Sequence, residues 1–500
     1  MMVEGSANQT TGMVAAGAAS KPRRALALDA LRGLAILGMV LSGDVPEDAF
    51  PAWMYHAQDP PGQHFSHHFR DYVAGLTWVD LVFPFFIFAM GAAISLALSR
   101  RREQGRSYWS IGGGIVYRTF LLGAFAIYVA HIRPDALSAD PTAATWALAL
   151  LGFALLFPIL ARLPDSWPLW LRLLIRGIGW AGAVTMMASL QFASGHHHRG
   201  GGGLTGFSVE RSDIIIVLLT NVALFGSFLW LLSRGNLLLR LSFLGFLMAA
   251  RLSAESPGWV AWLDGHWPLP WMFELDYLQW LFIAIPGTIV GDRIVAWVRS
   301  DKDGSATEAG WSVVRTFGLV ALMVAFVVFV LIGMQSRWLW PTTVVVAAMC
   351  VLGWWLVRGP STETERLVKD LYPWGVYWLL LGLAFEPFEG GIKKVPDTMS
   401  YYLVTAGLAI FLLIAGTIVI HIWRRQRWLQ LLIDNGQNPM IAYVGGENFI
   451  WPLVVLTHLD RPIGAITQSP WAGLTAAILT TLVVAYAVRV FTRLGVFWRT

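Results

Sequence analysis

An aspartate and a proline set in an apolar run, with histidines just upstream, are the residues of this chain best suited to chemistry. Asp80 and Pro84 stand in Gly75-Leu-Thr-Trp-Val-Asp-Leu-Val-Phe-Pro84, and no other ionisable side chain follows before Gly91. A carboxylate at the edge of hydrocarbon is costly and therefore marks a functional position. The preceding stretch carries His56, His64, His67 and His68. Histidine is the side chain best matched to proton transfer near neutral pH. In Pro51-Ala-Trp-Met-Tyr-His-Ala-Gln58, Trp53 and Tyr55 are suited to anchoring at a membrane surface, with Gln58 as a nearby polar group. The plain alternative is that His56 is one more histidine of the aromatic belt. A metal cluster of the four histidines is disfavoured by prolines and loose spacing.

Other polar residues recur at the ends of apolar runs. Asp29 and Arg32 are spaced i and i+3, on one helix face. They read either as an interfacial ion pair or as a site where Arg32 meets an anionic group from the cytoplasm, with Gly33 allowing a close approach. Asp276 and Asp292-Arg293 bracket a segment broken by Pro286-Gly287, and such a break needs protein or water to satisfy its backbone. An internal cavity is expected there. Asn438-Pro439 opens another segment, where Asn438 either caps a helix or turns its amide inward. His196-His197-His198 and the glycines after them read as a solvated linker.

The elements that must position these residues are transmembrane helices. The chain has 500 residues, 56% of them apolar and 13% charged, with a mean hydropathy of +0.58. A soluble chain carries about twice that share of charge. Segments of roughly 20 apolar residues recur, giving about 11–14 transmembrane helices in an all-α polytopic fold. Most Lys and Arg fall at alternate ends, as in Arg100-Arg101-Arg102 and Arg424-Arg425-Gln426-Arg427. By the positive-inside rule the N-terminus is cytoplasmic and the His56 loop faces outward. Residues 1–24 read as a disordered cytoplasmic tail, and residues 25–500 as a single membrane domain. The single cysteine excludes a disulfide framework. A net charge of +5 scattered over span ends argues against a nucleic-acid partner. Membrane lipids are the expected surroundings.

Leu28-Asp-Ala-Leu-Arg-Gly33, Gly75-Leu-Thr-Trp-Val-Asp80, Ile392-Lys-Lys394 with Thr398 and Ser400, and Asn438-Pro-Met-Ile-Ala-Tyr443 occur in that order. Together they resemble the transmembrane acyltransferases of the heparan-α-glucosaminide N-acetyltransferase family, and within it a bacterial branch of formerly unknown function. The resemblance implies a multi-pass protein of the inner (plasma) membrane, with a homodimer among the arrangements open to it. It would take acetyl-CoA as co-substrate at the cytoplasmic face, with no metal, and acetylate an amino sugar or glycan at the outer face. It also implies a catalytic histidine in the first outward loop. Counted back without gaps, that position falls on Arg70, and the Trp-Met-Tyr-His-Ala-Gln loop selects His56 instead, with His68 as second choice. His56 would then act as general base or form an acetyl-histidine, with Asp80 orienting it. Asp29, Arg32, Trp53, Gln58, Lys394 and Asn438 would bind substrate or co-substrate, with Arg32, Lys394 and Asn438 stabilising charge along the path. A saccharide transporter or flippase without transferase activity is the competing class, because broken helices and intramembrane charges also suit transport.

Overall fold

The computed structural model describes residues 23–61, 70, 72–193, 204–254, 256–264, 266, 269–300 and 310–498. His64, His67, His68, the triple histidine and most of the expected N-terminal tail lie outside these residues. The described chain is helical apart from a two-residue β pairing, Phe192–Ala193 with Leu204–Thr205.

The principal helices are α1 (Leu26–Asp44), α2 (Trp78–Glu103), α3 (Tyr108–Ile132), α4 (Ala143–Leu160), α5 (Leu169–Ser189) and α6 (Ile214–Leu232). They are followed by α7 (Leu237–Ser253), α8 (Asp276–Ser300), α9 (Val313–Gln335), α10 (Leu339–Leu356) and α11 (Glu363–Phe385). The last four are α12 (Met399–Ile422), α13 (Gln430–Gln437), α14 (Pro439–Leu456) and α15 (Pro470–Arg493). Among the described residues, 12 helices are long and apolar enough to cross a membrane. Of the remaining three, α7 has 17 residues, α13 has 8, and α11 opens on charged residues such as Glu363, Glu365 and Lys369. This is a polytopic helical membrane protein.

Contacts between helix ends fix how the chain alternates. At the face nearest the N-terminus, Arg299 at the end of α8 pairs with Glu103 at the end of α2. There too the Trp311 amide donates to Glu365 at 2.6 Å, and Arg315 Nε donates to the Leu356 carbonyl at 2.7 Å. At the opposite face Arg337 pairs with Glu386 at 2.6 Å, and the Gly75 amide donates to the Ile392 carbonyl at 2.8 Å. Successive long helices therefore run in opposite directions, and the His56 loop lies at the face opposite the N-terminus.

Two backbone-to-backbone contacts hold the centre. A Cβ built on Gly287 would lie 2.3 Å from the Phe88 carbonyl oxygen, and one on Gly91 would lie 2.1 Å from that of Ala284. Small residues thus let α2 and α8 close on one another, as in membrane helix pairs generally. This corrects the expected cavity at Pro286-Gly287. The helix runs through Pro286 and packs, and the Ser95 hydroxyl crosses over to donate to the Thr288 carbonyl at 2.8 Å. Residues 281–291 of α8 are all buried along this contact, so packed protein occupies the place of the expected cavity.

Candidate active site

Asp80 is the third residue of α2, and its carboxylate reaches back to the helix start. Oδ2 accepts the Thr77 amide at 3.0 Å and the Ala57 amide at 3.1 Å, with the Thr77 hydroxyl also 3.1 Å away. This is the capping role that an acidic residue fills in a first turn. The second oxygen, Oδ1, lies 2.6 Å from His56 Nδ1. Asp80 is fully buried, whereas the His56 side chain keeps 28% of its surface exposed. A carboxylate accepting from Nδ1–H places the neutral imidazole's lone pair on Nε2, the tautomer that a general base requires.

The loop around His56 is braced from several directions. A short 3₁₀ turn over Ala52–Met54 brings in Tyr55, whose hydroxyl donates to the Pro46 carbonyl at 2.7 Å and accepts the Ala49 and Phe50 amides at 3.0 Å. The buried Gln58 donates to the Val73 carbonyl at 3.1 Å and accepts the Lys394 amide at 3.2 Å. Gln58 therefore ties three segments together instead of facing a substrate. Trp53 is exposed at the surface of this loop.

Lys394 arrives from a segment more than three hundred positions away. Its Nζ lies 3.4 Å from His56 Nδ1 and 3.5 Å from Nε2, so it stands beside the ring and not in line with one nitrogen. Burial pulls its ammonium below the usual lysine range, while the Asp80 and Asp397 carboxylates pull the other way. A positive charge here would stabilise negative charge developing next to the imidazole.

Residues not singled out from the sequence complete the site. The buried Tyr401 hydroxyl donates to the Asp80 main-chain carbonyl at 2.9 Å. Beside it, Tyr402 donates to Asp397 Oδ2 at 2.7 Å, while Arg251 reaches the Asp397 carbonyl and Gln279. The segment Ile392 to Tyr402 is rich in polar residues for a span entrance, and that was the available signal.

Burial pushes the Asp397 carboxyl up to about 6 from 3.8, helped by Asp276 and opposed by Tyr402, Arg251 and Lys394. The folded chain therefore holds this proton between about pH 4 and 6, where the unfolded chain has released it. Stability should fall as pH rises through that window and then level off. An Asp397→Asn chain should lose this part of the slope in melting temperature measured from below pH 4 to above pH 6. An unchanged slope would refute the assignment.

The other sequence candidates lie elsewhere. Arg32 donates to the Gly436 carbonyl at 2.9 Å and sits 3.6 Å from Asp29, so the pair joins α1 to α13. Asn438 is buried at the break between α13 and α14. Its side chain makes no cap but donates to the Val496 carbonyl at 2.6 Å and accepts the Trp498 amide at 3.1 Å. Asp292 accepts from Arg240 at 2.7 Å and from Trp230 at 2.8 Å, a structural knot. Among the described residues, no group of three His, Cys, Asp or Glu side chains is placed to hold a metal.

A multi-pass helical protein with an aspartate-oriented histidine at one membrane face is the class that fold and site define. A family model described as a domain of unknown function (DUF5009) matches residues 24–294. That is more than half the chain, and the chain belongs to this family. It is also similar to the human heparan-alpha-glucosaminide N-acetyltransferase, 28% identical over 208 residues, covering 36% of this chain and 29% of that protein. The mouse protein of the same name is 32% identical over 112 residues, covering 22% of this chain and 15% of its own length. The chain thus spans less than a third of the length of these curated relatives.

Proposed function

We propose that the chain is a membrane acyltransferase in which His56, oriented by Asp80, is the general base. The observation that carries this is the 2.6 Å contact between His56 Nδ1 and a buried carboxylate at a helix start. In this reading acetyl-CoA is the donor, entering from the N-terminal face, which bears Arg100 to Arg102 and Arg424 to Arg427 and is therefore cytoplasmic. An amino sugar or glycan is the acceptor on the opposite side of the plasma membrane.

His56 Nε2 takes the proton from the acceptor amine or hydroxyl as it attacks the thioester carbonyl. The C–S bond then breaks, and the imidazolium returns the proton to the departing thiolate. Lys394 supports the negative charge that gathers on the carbonyl oxygen.

The test is transfer from radiolabelled acetyl-CoA to a panel of glucosamine-containing sugars by the purified protein. His56→Ala is expected to lose transfer by about 10²–10⁴-fold, the usual weight of a general base. Sugar uptake into vesicles without acetyl-CoA, undiminished in His56→Ala, would point instead to a carrier.

A further inference from the structure

At the N-terminal face, α8, α10 and α11 border a solvent-open cavity of about 570 Å³, lined among others by Arg293, Arg358, Lys369, Asp370, Trp354 and Trp374. Three cations face one carboxylate there. Other arginines on this face are committed: Arg240 to Asp292, Arg299 to Glu103 and Arg366 to Glu363. Among the described residues, Arg293, Arg358 and Lys369 have no ion-pair partner. Like charges converging on one concavity repel each other until an anion joins them. The cavity also adjoins the outward surface of α10, where Trp354 and Trp355 are exposed. Tryptophans at such positions sit at the headgroup level of a bilayer.

We infer that this cavity binds a phosphate group presented at the membrane surface. Guanidinium forks and an ammonium match phosphate oxygens in charge and geometry, and basic pockets between membrane helices accept phospholipid headgroups. The phosphate is supplied either by an anionic phospholipid or by a soluble phosphate ester. A lipid occupant would stand apart from the acyl-transfer reading, whereas a coenzyme A occupant would rest on it, because acetyl-CoA is the donor proposed to enter from this face.

The test uses the full chain in neutral detergent, with phosphatidylglycerol as the lipid probe, phosphatidylcholine as background, and coenzyme A as the soluble phosphate ester. Binding is read by native mass spectrometry and by the rise in melting temperature. Each cation replaced should weaken binding about fivefold, so Arg293→Gln, Arg358→Gln and Lys369→Gln together should weaken it roughly a hundredfold. Arg424→Gln with Arg425→Gln and Arg427→Gln, on the same face, should leave it unchanged. Should the triple variant fold poorly, Lys369→Gln alone carries the test, because that side chain is exposed. Selective loss of phosphatidylglycerol binding supports the site with a lipid source, and selective loss of coenzyme A binding supports it with a soluble one. The inference is overturned if neither probe binds above background, if the cavity variants bind like wild type, or if the control variant loses as much.

Discussion

An Asp80→Asn chain is expected to fold and yet to lose acyl transfer by about 10³–10⁴-fold, as when an orienting carboxylate is neutralised elsewhere. The amide keeps one oxygen to accept the Thr77 and Ala57 amides that now reach Oδ2. Its nitrogen then faces His56 Nδ1, where a carboxylate oxygen now lies at 2.6 Å. Donation from that nitrogen makes Nδ1 the acceptor and moves the ring proton to Nε2, the atom required to be basic. The defect should appear in kcat far more than in KM. Equal activity in Asp80→Asn and wild type would show that the dyad is only a loop fastener.

The largest structural effect is expected at Gly33. A Cβ there would lie 1.8 Å from the Leu432 carbonyl oxygen, and one on Gly436 would lie 1.8 Å from that of Asp29. In both cases the obstacle is backbone, so no side chain can turn aside. Ordinary overpacking costs about 1–3 kcal/mol, and separating two helices that are also joined through Arg32 costs more. Gly33→Val should therefore give little folded protein by size-exclusion chromatography. Gly43→Ala on the same helix, where a Cβ meets nothing within 4 Å, should behave as wild type. Normal yield and melting of Gly33→Val would contradict the packing described for α1 and α13.

Much of this was legible in the sequence, for reasons that differ by level. The spans were, because hydrocarbon demands long apolar helices whatever their neighbours. The pairing of His56 with Asp80 was legible through the family resemblance, which selected His56 among four loop histidines. Residues whose roles depend on a distant partner were not. Gln58 looked like a substrate ligand until its acceptor side was found on the Lys394 amide. Pro286-Gly287 looked like a cavity because the backbone it disturbs needs partners, and only the close approach of α2 to Gly287 shows that packed protein fills the place. Asn438 marked a break correctly, but its amide secures the C-terminal residues Val496 and Trp498.

Sidedness tests the central claim most directly. The protein would be reconstituted in vesicles, with its orientation established by protease access, and glucosamine trapped on the His56 side. Radiolabelled acetyl-CoA would be added only on the other side. Labelled N-acetylglucosamine appearing in the trapped compartment, and absent with His56→Ala, is the predicted result. Product formed only when donor and acceptor share a compartment, or formed equally by the variant, would contradict it.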